Sequence, residues 1–441
     1  MLALKRRLDA RPLRMRIARN AGWLLTDRVS RVGVGLFTGL LVARYLGPQQ
    51  FGVFSYVTAF AALFAVFATL GLTDLVVRVL VQEPEDRDET LGTVFTLRFL
   101  AASLALSIAT VSVFLLRPHD ATAHYLVPVA AAGMLFQSAD TIDFWFQSKL
   151  QSKFTVYAKL VPFFVASAAK IGLVVVHAPL PAFVWASLAE QSMAAVGMFV
   201  VYKSRRLSIR NWSFSLQRAQ RLLAQSWPLI LTGVAITVYM RIDIIMIGQF
   251  SGARSTGLYS AATRISEVWY FLPTVIVTSA FPVIVEVKRR SEAEYYEKLE
   301  SMFHFLMALG LAIAVPMTVL SGPLVALLYG GRYVQAGTIL AIHIWTSLFV
   351  FLGVGQGPWT ITEGLTRLIL FRTSAGALVN VGLNVFLIPL YGGIGAATAT
   401  VIAQSFAAFF LNAFDKRTRR IFFCQLRALF LFNYWHRLLL A

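Results

Sequence analysis

The chain has 441 residues, 58% of them hydrophobic and 14% charged, with a mean hydropathy of +0.69. Those values exclude a soluble domain and describe an integral membrane protein. The net charge of +19 would suggest nucleic acid in a soluble chain, but in a membrane protein it follows the positive-inside rule, so no nucleic-acid partner is expected.

Taken in order, the apolar runs predict twelve spans, at about 21–46, 51–78, 91–116, 122–147, 155–177, 181–202, 222–248, 256–285, 300–321, 335–360, 369–389 and 393–414. The breaks between them carry turn chemistry: GPQQFG, RPHD, APLP, SGARSTG, GGRY and PLYGG. The first span is too long for a signal-peptide core and is expected to be retained. The fold class is therefore all-α, an integral membrane protein of about twelve transmembrane helices in two halves of six. We delimit a basic cytoplasmic tail (1–20), a first lobe (21–202), a linker (203–221), a second lobe (222–414) and a basic amphipathic tail (415–441). That last segment mixes Arg with Phe, Leu and Trp, as a helix lying on an anionic leaflet would.

Outside the spans, the cations fall on the two tails and the even-to-odd connections. The opposite connections hold only Arg117, Arg254 and Arg332. That asymmetry puts both termini in the cytoplasm. A short pattern also recurs at the same point of each half: Gly47-x4-Gly52-Val53-Phe54-Ser55 after the first span, and Gly252-x4-Gly257-Leu258-Tyr259-Ser260 after the seventh. Internal repeats of this kind are common in secondary transporters.

Ionisable residues inside spans are costly, and they are the functional candidates by default. The cations are Arg28, Arg31, Arg44, Arg78, Arg98, Lys159, Lys170, Arg241, Arg264 and Arg372; the acids are Asp27, Asp74, Asp140, Asp143, Glu190, Asp243 and Glu267. The excess is positive. Arg44, Arg78, Arg98, Lys159 and Arg372 lie near span ends and are expected to snorkel. Asp27 and Arg31 are i,i+4 neighbours, and Lys170 and Glu190 share a depth on consecutive spans, so each couple can form an ion pair.

Arg31, Arg241 and Arg264 lead the substrate-binding candidates, with Arg28, Arg78 and Lys170 behind them. A guanidinium fork is always charged and bonds two oxygens of a phosphate at once. Asp27, Asp243, Glu267 and Glu190 are the acids that could pair with these cations or couple transport to protons. Asn380 and Asn384, i,i+4 on one face, are expected to join helices by hydrogen bonds rather than to contact sugar. His304 and His343 read as packed or pore-lining residues. With no Walker loop, HExxH or paired-cysteine site, no cofactor, metal or catalytic residue is expected.

The stretch DRVSRVGVGLFTGLLVARYLGPQQFGVFSYVTAF resembles the opening of bacterial polysaccharide-biosynthesis membrane proteins of the O-antigen flippase type, whose first hairpin often reads A-R-x-L-G-P-x-x-F/Y-G. FWFQSKLQSKFTVYAKL resembles their fourth-to-fifth connection, although Ser148 stands where Gly is commoner. ALLYGGRYVQAG and NVGLNVFLIPLYGGIGAATATVIAQ resemble their later signatures. The resemblance implies two lobes around a central cavity, related to the MATE-type exporters and the peptidoglycan-precursor flippases. It implies movement of an undecaprenyl-diphosphate-linked oligosaccharide across the bacterial inner membrane for O-antigen, capsule or exopolysaccharide synthesis. A polymerase and a chain-length regulator are the prospective partners. By motif position Ser30-Arg31 resembles the cavity pair of span one in related flippases, while Arg264 and Arg78 are looser matches.

Two alternatives compete. A MATE-like small-molecule antiporter shares the fold, but an organic-cation exporter should have a mainly acidic cavity. A polysaccharide polymerase or ligase typically carries a large external loop, and the longest one here, around 322–334, is short.

Overall fold

The computed structural model describes residues 2–365 and 367–429, and of residues 2–18 the backbone alone. Every regular element among them is helical. Twelve helical rods correspond to the twelve spans. They are α1 (2–46), α2 (48–82), α3 (Arg87–Leu116), α4 (121–148), α5 (Lys153–Val175), α6 (Leu180–Ser204), α7 (Leu216–Phe250), α8 (252–290), α9 (Glu292–Tyr329), α10 (335–362), α11 (Arg367–Tyr391) and α12 (393–414). A short thirteenth helix, α13, follows (Arg419–Leu429).

Nine segments among the described residues are long and apolar enough to cross a membrane. Two of them, Arg19–Gln82 and Arg367–Phe414, each join two rods, at Gly47 and at Gly392. Rod α4 falls short of such a length because its first helix, Ala121–Gln137, gives way to a 3-10 turn.

Several helices run past the hydrocarbon run that marks them in sequence, so the connections are shorter than expected. The stretch 286–299 shrinks to Ser291, whose hydroxyl caps α9 by accepting from Glu294 N–H. The stretch 322–334 shrinks to the turn after Tyr329. Charged turns such as Lys288–Arg290 and Glu292–Glu294 stay helical in the interface, where hydropathy no longer reports them.

The described chain forms two compact units. One comprises the residues up to Tyr45 together with Val57–Val234. The other comprises Leu46–Tyr56 and the residues from Ala235 on. In the first, Leu72, Val76, Leu91, Val94 and Ile142 build the core. Arg218, at the start of α7, locks the α2–α3 turn: its guanidinium reaches Glu83 (2.9 Å), Asp86 (2.6 Å) and Glu89 (3.1 Å).

In the second unit, Phe303, Leu306, Phe351 and Trp359 lead the core. The apolar side of α13 (Ile421, Cys424, Ala428) packs into that core, and Arg420 and Arg427 pair with Glu292 and Glu300 of α9 at 2.7 and 3.1 Å. Residues 430–441 of the expected interfacial tail, and the side chains of the basic tail up to residue 18, lie outside the described residues.

The two copies of the Gly-x4-Gly pattern meet inside the second unit. A Cβ on Gly52 would lie 1.7 Å from Ala253 O, and one on Gly257 would lie 1.9 Å from Pro48 O. Each copy therefore needs a glycine so that the other's backbone can approach. The first glycine of each copy takes a left-handed φ, 68° at Gly47 and 79° at Gly252, which starts the helix that follows.

Candidate functional site: a cavity in the second unit

Helical spacing puts a polar stripe on each of four rods of the second unit. On α7, Tyr239 and Asp243 are four apart. On α8, Thr263, Glu267 and Tyr270 fall at i, i+4 and i+7. Gln356 and Thr360 on α10, and Thr400 and Gln404 on α12, are again four apart. These stripes line one cavity of about 540 Å³, together with Tyr259, His343 and Arg372.

Asp243 organises one side of it. The residue is 4% exposed, and its carboxylate accepts from Tyr259 Oη, Thr400 Oγ1 and Asn384 Nδ2, each at 2.6 Å. Asn384 Nδ2 also donates to Asn380 Oδ1 at 3.1 Å, and both amides are fully buried. One carboxylate thus ties α7, α8, α11 and α12 together, with its charge spread over three donors. Beside this network the Ser266 hydroxyl meets His343 Nδ1 at 2.6 Å, and the His343 ring meets Tyr259 edge-on.

Arg241 sits two residues from Asp243, on a different face of α7, so it does not neutralise that acid. It lies instead within electrostatic reach of Arg264 and Glu267 of α8. Arg264 stacks over the Phe51 ring at 5.1 Å, a cation–π contact. Neither arginine has a carboxylate at ion-pair distance among the described residues, and neither does Glu267 have a cation.

Arg372 corrects an expectation. Its place near the start of span eleven predicts snorkelling, yet it is 9% exposed. Its Nη1 donates to Gln356 Oε1, and Gln356 Nε2 donates in turn to Ala408 O. Gln356 reaches it from α10 and draws the guanidinium inward along the cavity wall. The Nη2 atom is buried with no acceptor.

The candidates of the first unit are not drawn into one cluster. Arg31 pairs with Asp27 at 2.9 Å and stacks over Phe163, with a third of its side chain exposed. Lys170 pairs with Glu190 at 3.2 Å. Arg78 is exposed and donates to Gln225, and Arg28 is exposed. Two further snorkelling expectations fail here. Lys159 bridges Asp140 (2.9 Å) and Asp143 (2.8 Å). Arg98 is 4% exposed and lies over the Phe144 ring, in the field of the same two acids. In both cases acids on α4 provide an inward partner that distance from a span end does not reveal.

An all-α membrane transporter is the class that these helices and this cavity define. The fold resembles an inward-facing MATE family multidrug transporter of the MOP superfamily, with a TM-score of 0.72 at 14% identity over 92% of this chain and 96% of that one. It also resembles the lipid II flippase MurJ in an inward closed conformation, with a TM-score of 0.66 at 17% identity over 95% and 93%.

Residues 41–337 match the model of the polysaccharide biosynthesis protein family, and the chain belongs to that family. Among similar proteins, the probable flippase AglR of Haloferax volcanii is 29% identical over 48% of this chain and 45% of its own length, so that match spans less than half of the relative. The succinoglycan biosynthesis transport protein ExoT of Rhizobium meliloti is 24% identical over 80% of this chain and 72% of its own.

Proposed function

We propose that the chain is a flippase. It moves an undecaprenyl-diphosphate-linked oligosaccharide from the cytoplasmic to the outer leaflet of the bacterial inner membrane, with both termini cytoplasmic, in O-antigen, capsule or exopolysaccharide synthesis. Family membership and relatives named as a flippase and a transport protein support transport rather than catalysis. A diphosphate and its sugars cannot cross hydrocarbon without a polar path, whereas the lipid tail can stay in the bilayer. The observation that carries the reading is Arg241 and Arg264, two in-span cations within electrostatic reach of each other that have no carboxylate at ion-pair distance among the described residues, although neither is among the residues that line the cavity. Together they supply the charge a diphosphate needs, and Arg presents it as a fork.

Among the acids, Glu267 is the proposed proton carrier, because it lines the cavity, lies near both arginines and makes no ion pair among the described residues. A polymerase and a chain-length regulator would act on the flipped product.

The antiporter reading draws on the acids of the cavity, since Asp243 and Glu267 both line it. Asp243, however, is already engaged by three donors, which leaves little of its charge for an organic cation.

Proteoliposomes test the proposal. A fluorescent undecaprenyl-diphosphate glycan should become accessible to an external lectin when the protein is present. The rate should fall when the proton gradient is collapsed or when Glu267 is changed to Gln. No protein-dependent accessibility would refute the flippase. A rate indifferent to the gradient would refute the coupling alone.

A further inference from the structure

The connection between α4 and α5, QSKLQSKF, takes no part in the transport reading. We propose that, with the start of the first span in α1, it forms a binding site for the phosphodiester headgroup of an anionic glycerophospholipid. The site lies wholly in the first unit, and the inference goes beyond the flippase reading. On the orientation proposed above, the lipid belongs to the cytoplasmic leaflet.

Leu150 takes a left-handed φ of 54°, which turns the chain from α4 into α5. Asn20 of α1 clips that turn, its Oδ1 accepting from Ser152 N–H at 2.8 Å. Between them lies a cavity of about 350 Å³, walled by Arg19, Asn20, Trp23, Gln151, Lys153 and Phe154, and no carboxylate lines it. Its volume falls within the usual range for small-ligand sites. By span position the cavity stands at the membrane boundary, where the first and fifth spans begin and the fourth ends.

The cations here are held by rings instead of acids. Lys153 Nζ lies 5.6 Å from the Trp23 ring and 5.9 Å from that of Tyr157. Lys149 lies 4.7 Å from the Trp145 ring, and the Arg205 guanidinium covers Phe154 at 3.6 Å. None of Arg19, Lys149, Lys153 and Arg205 has a carboxylate at ion-pair distance among the described residues. In the second unit, by contrast, Lys288, Arg420 and Arg427 each pair with a glutamate. A ring fixes a cation in place without cancelling its charge, so the charge stays available to an anion.

A phosphate oxygen is the acceptor that guanidinium and ammonium groups suit best at a headgroup plane. Gln151 and the amide nitrogen of Asn20 offer donors to the glycerol oxygens. Trp23 and Phe154 give the root of an acyl chain an apolar wall, in the manner of an interfacial aromatic belt. A soluble anion would have no use for those two rings.

The experiment counts molecules bound to the full chain in non-ionic detergent by native mass spectrometry, with phosphatidylglycerol, phosphatidylcholine or inorganic phosphate added. Wild type should hold its first phosphatidylglycerol at least tenfold more tightly than phosphatidylcholine. Each cation near an anionic lipid is worth about fivefold in affinity, so Arg19→Gln with Lys153→Gln should erase that preference. Lys153→Arg alone should keep it. Gln151→Glu leaves every cation in place and puts a carboxylate in the cavity, so it should weaken phosphatidylglycerol and spare phosphatidylcholine. Arg289→Gln with Lys298→Gln removes two exposed cations of the second unit and should leave the preference intact.

Equal binding of the two lipids by wild type would overturn the proposal. So would a preference that survives in Arg19→Gln with Lys153→Gln or in Gln151→Glu, or one that falls as far in the second-unit variant, since the field of the whole chain would then suffice. Inorganic phosphate held as tightly as phosphatidylglycerol would make this a soluble-anion site and overturn the lipid assignment. Lipid preference in a protein that flips no lipid-linked glycan would sink the flippase and leave the headgroup site standing. Flipping without lipid preference would do the reverse.

Discussion

Three of the first unit's in-span cations are in ion pairs, Arg28, Arg44 and Arg78 are exposed, and Arg98 is buried without an acceptor for Nε and Nη1, whereas none of the second unit's three has an ion-pair partner among the described residues. In the first, Lys159 has Asp140 and Asp143, Lys170 has Glu190 and Arg31 has Asp27, while Arg98 rests on Phe144 in the field of two acids. In the second, Arg241, Arg264 and Arg372 have no carboxylate at ion-pair distance among the described residues, although Asp243 and Glu267 stand in the same unit. The Lys159 and Lys170 pairs join neighbouring helices and the Arg31 pair lies within one, and a neutralised pair leaves little for a ligand to satisfy. Unneutralised cations are retained at a cost of several kcal/mol each unless an outside anion completes them. On the proposed function, the ion-paired charges of the first unit keep the fold and the unpaired ones of the second are the proposed ligand-holding groups.

The largest effect on stability should come from the exception within the second unit, Asp243, whose acceptors are all used by the fold. Asp243→Ala leaves Tyr259, Thr400 and Asn384 without their shared partner and should cost about 3 kcal/mol, read as a lower melting temperature in detergent. Asp243→Asn should recover part of it. An unchanged melting temperature would place Asp243 with the ligand-holding groups and blur the comparison.

A smaller loss, about 2 kcal/mol, is expected for Lys159→Ala, because the bridge to Asp140 and Asp143 is partly screened by solvent. Adding Asp143→Asn should restore some of that loss. If Lys159→Ala abolished export at normal stability, the first unit would hold ligand as well.

The smallest effect concerns the Arg218 lock. The hydrogen bond from Arg218 holds the Glu89 carboxyl below its ordinary range. A lowered carboxyl contributes stability above the ordinary Glu range, near 4.3, and loses it as pH falls through its folded value. Melting temperature should therefore drop modestly between about pH 5 and pH 3, and Arg218→Gln should flatten that dependence. A steeper slope in the variant would contradict the lock.

How much of this was legible in the sequence depends on chain separation. The twelve rods were, since each leaves its own apolar run. So were the Asp27–Arg31 and Lys170–Glu190 pairs, which need only i,i+4 spacing or matched depth on neighbouring spans. The Gly-x4-Gly copies were visible as a repeat but not as a mutual contact, because periodicity does not say what packs on what. Arg372 was misread because Gln356, on another rod, draws it inward. The Asp243 network joins residues as far apart as 243 and 400. Its trace in sequence is the polar i,i+4 couples inside apolar spans, Tyr239 with Asp243 and Thr400 with Gln404, which mark a face without naming its partner.

The most direct test measures membrane abundance and surface polysaccharide in the same strains for two variants. Arg264→Ala should leave abundance near wild type and abolish export, with Arg264→Lys recovering only part of it, since Lys keeps the charge and loses the fork. The charge-free double change Asp27→Asn with Arg31→Gln should retain both abundance and export, because it removes a pair that is already neutral. Export surviving in Arg264→Ala, or lost in the double variant at normal abundance, would contradict the division of labour between the two units.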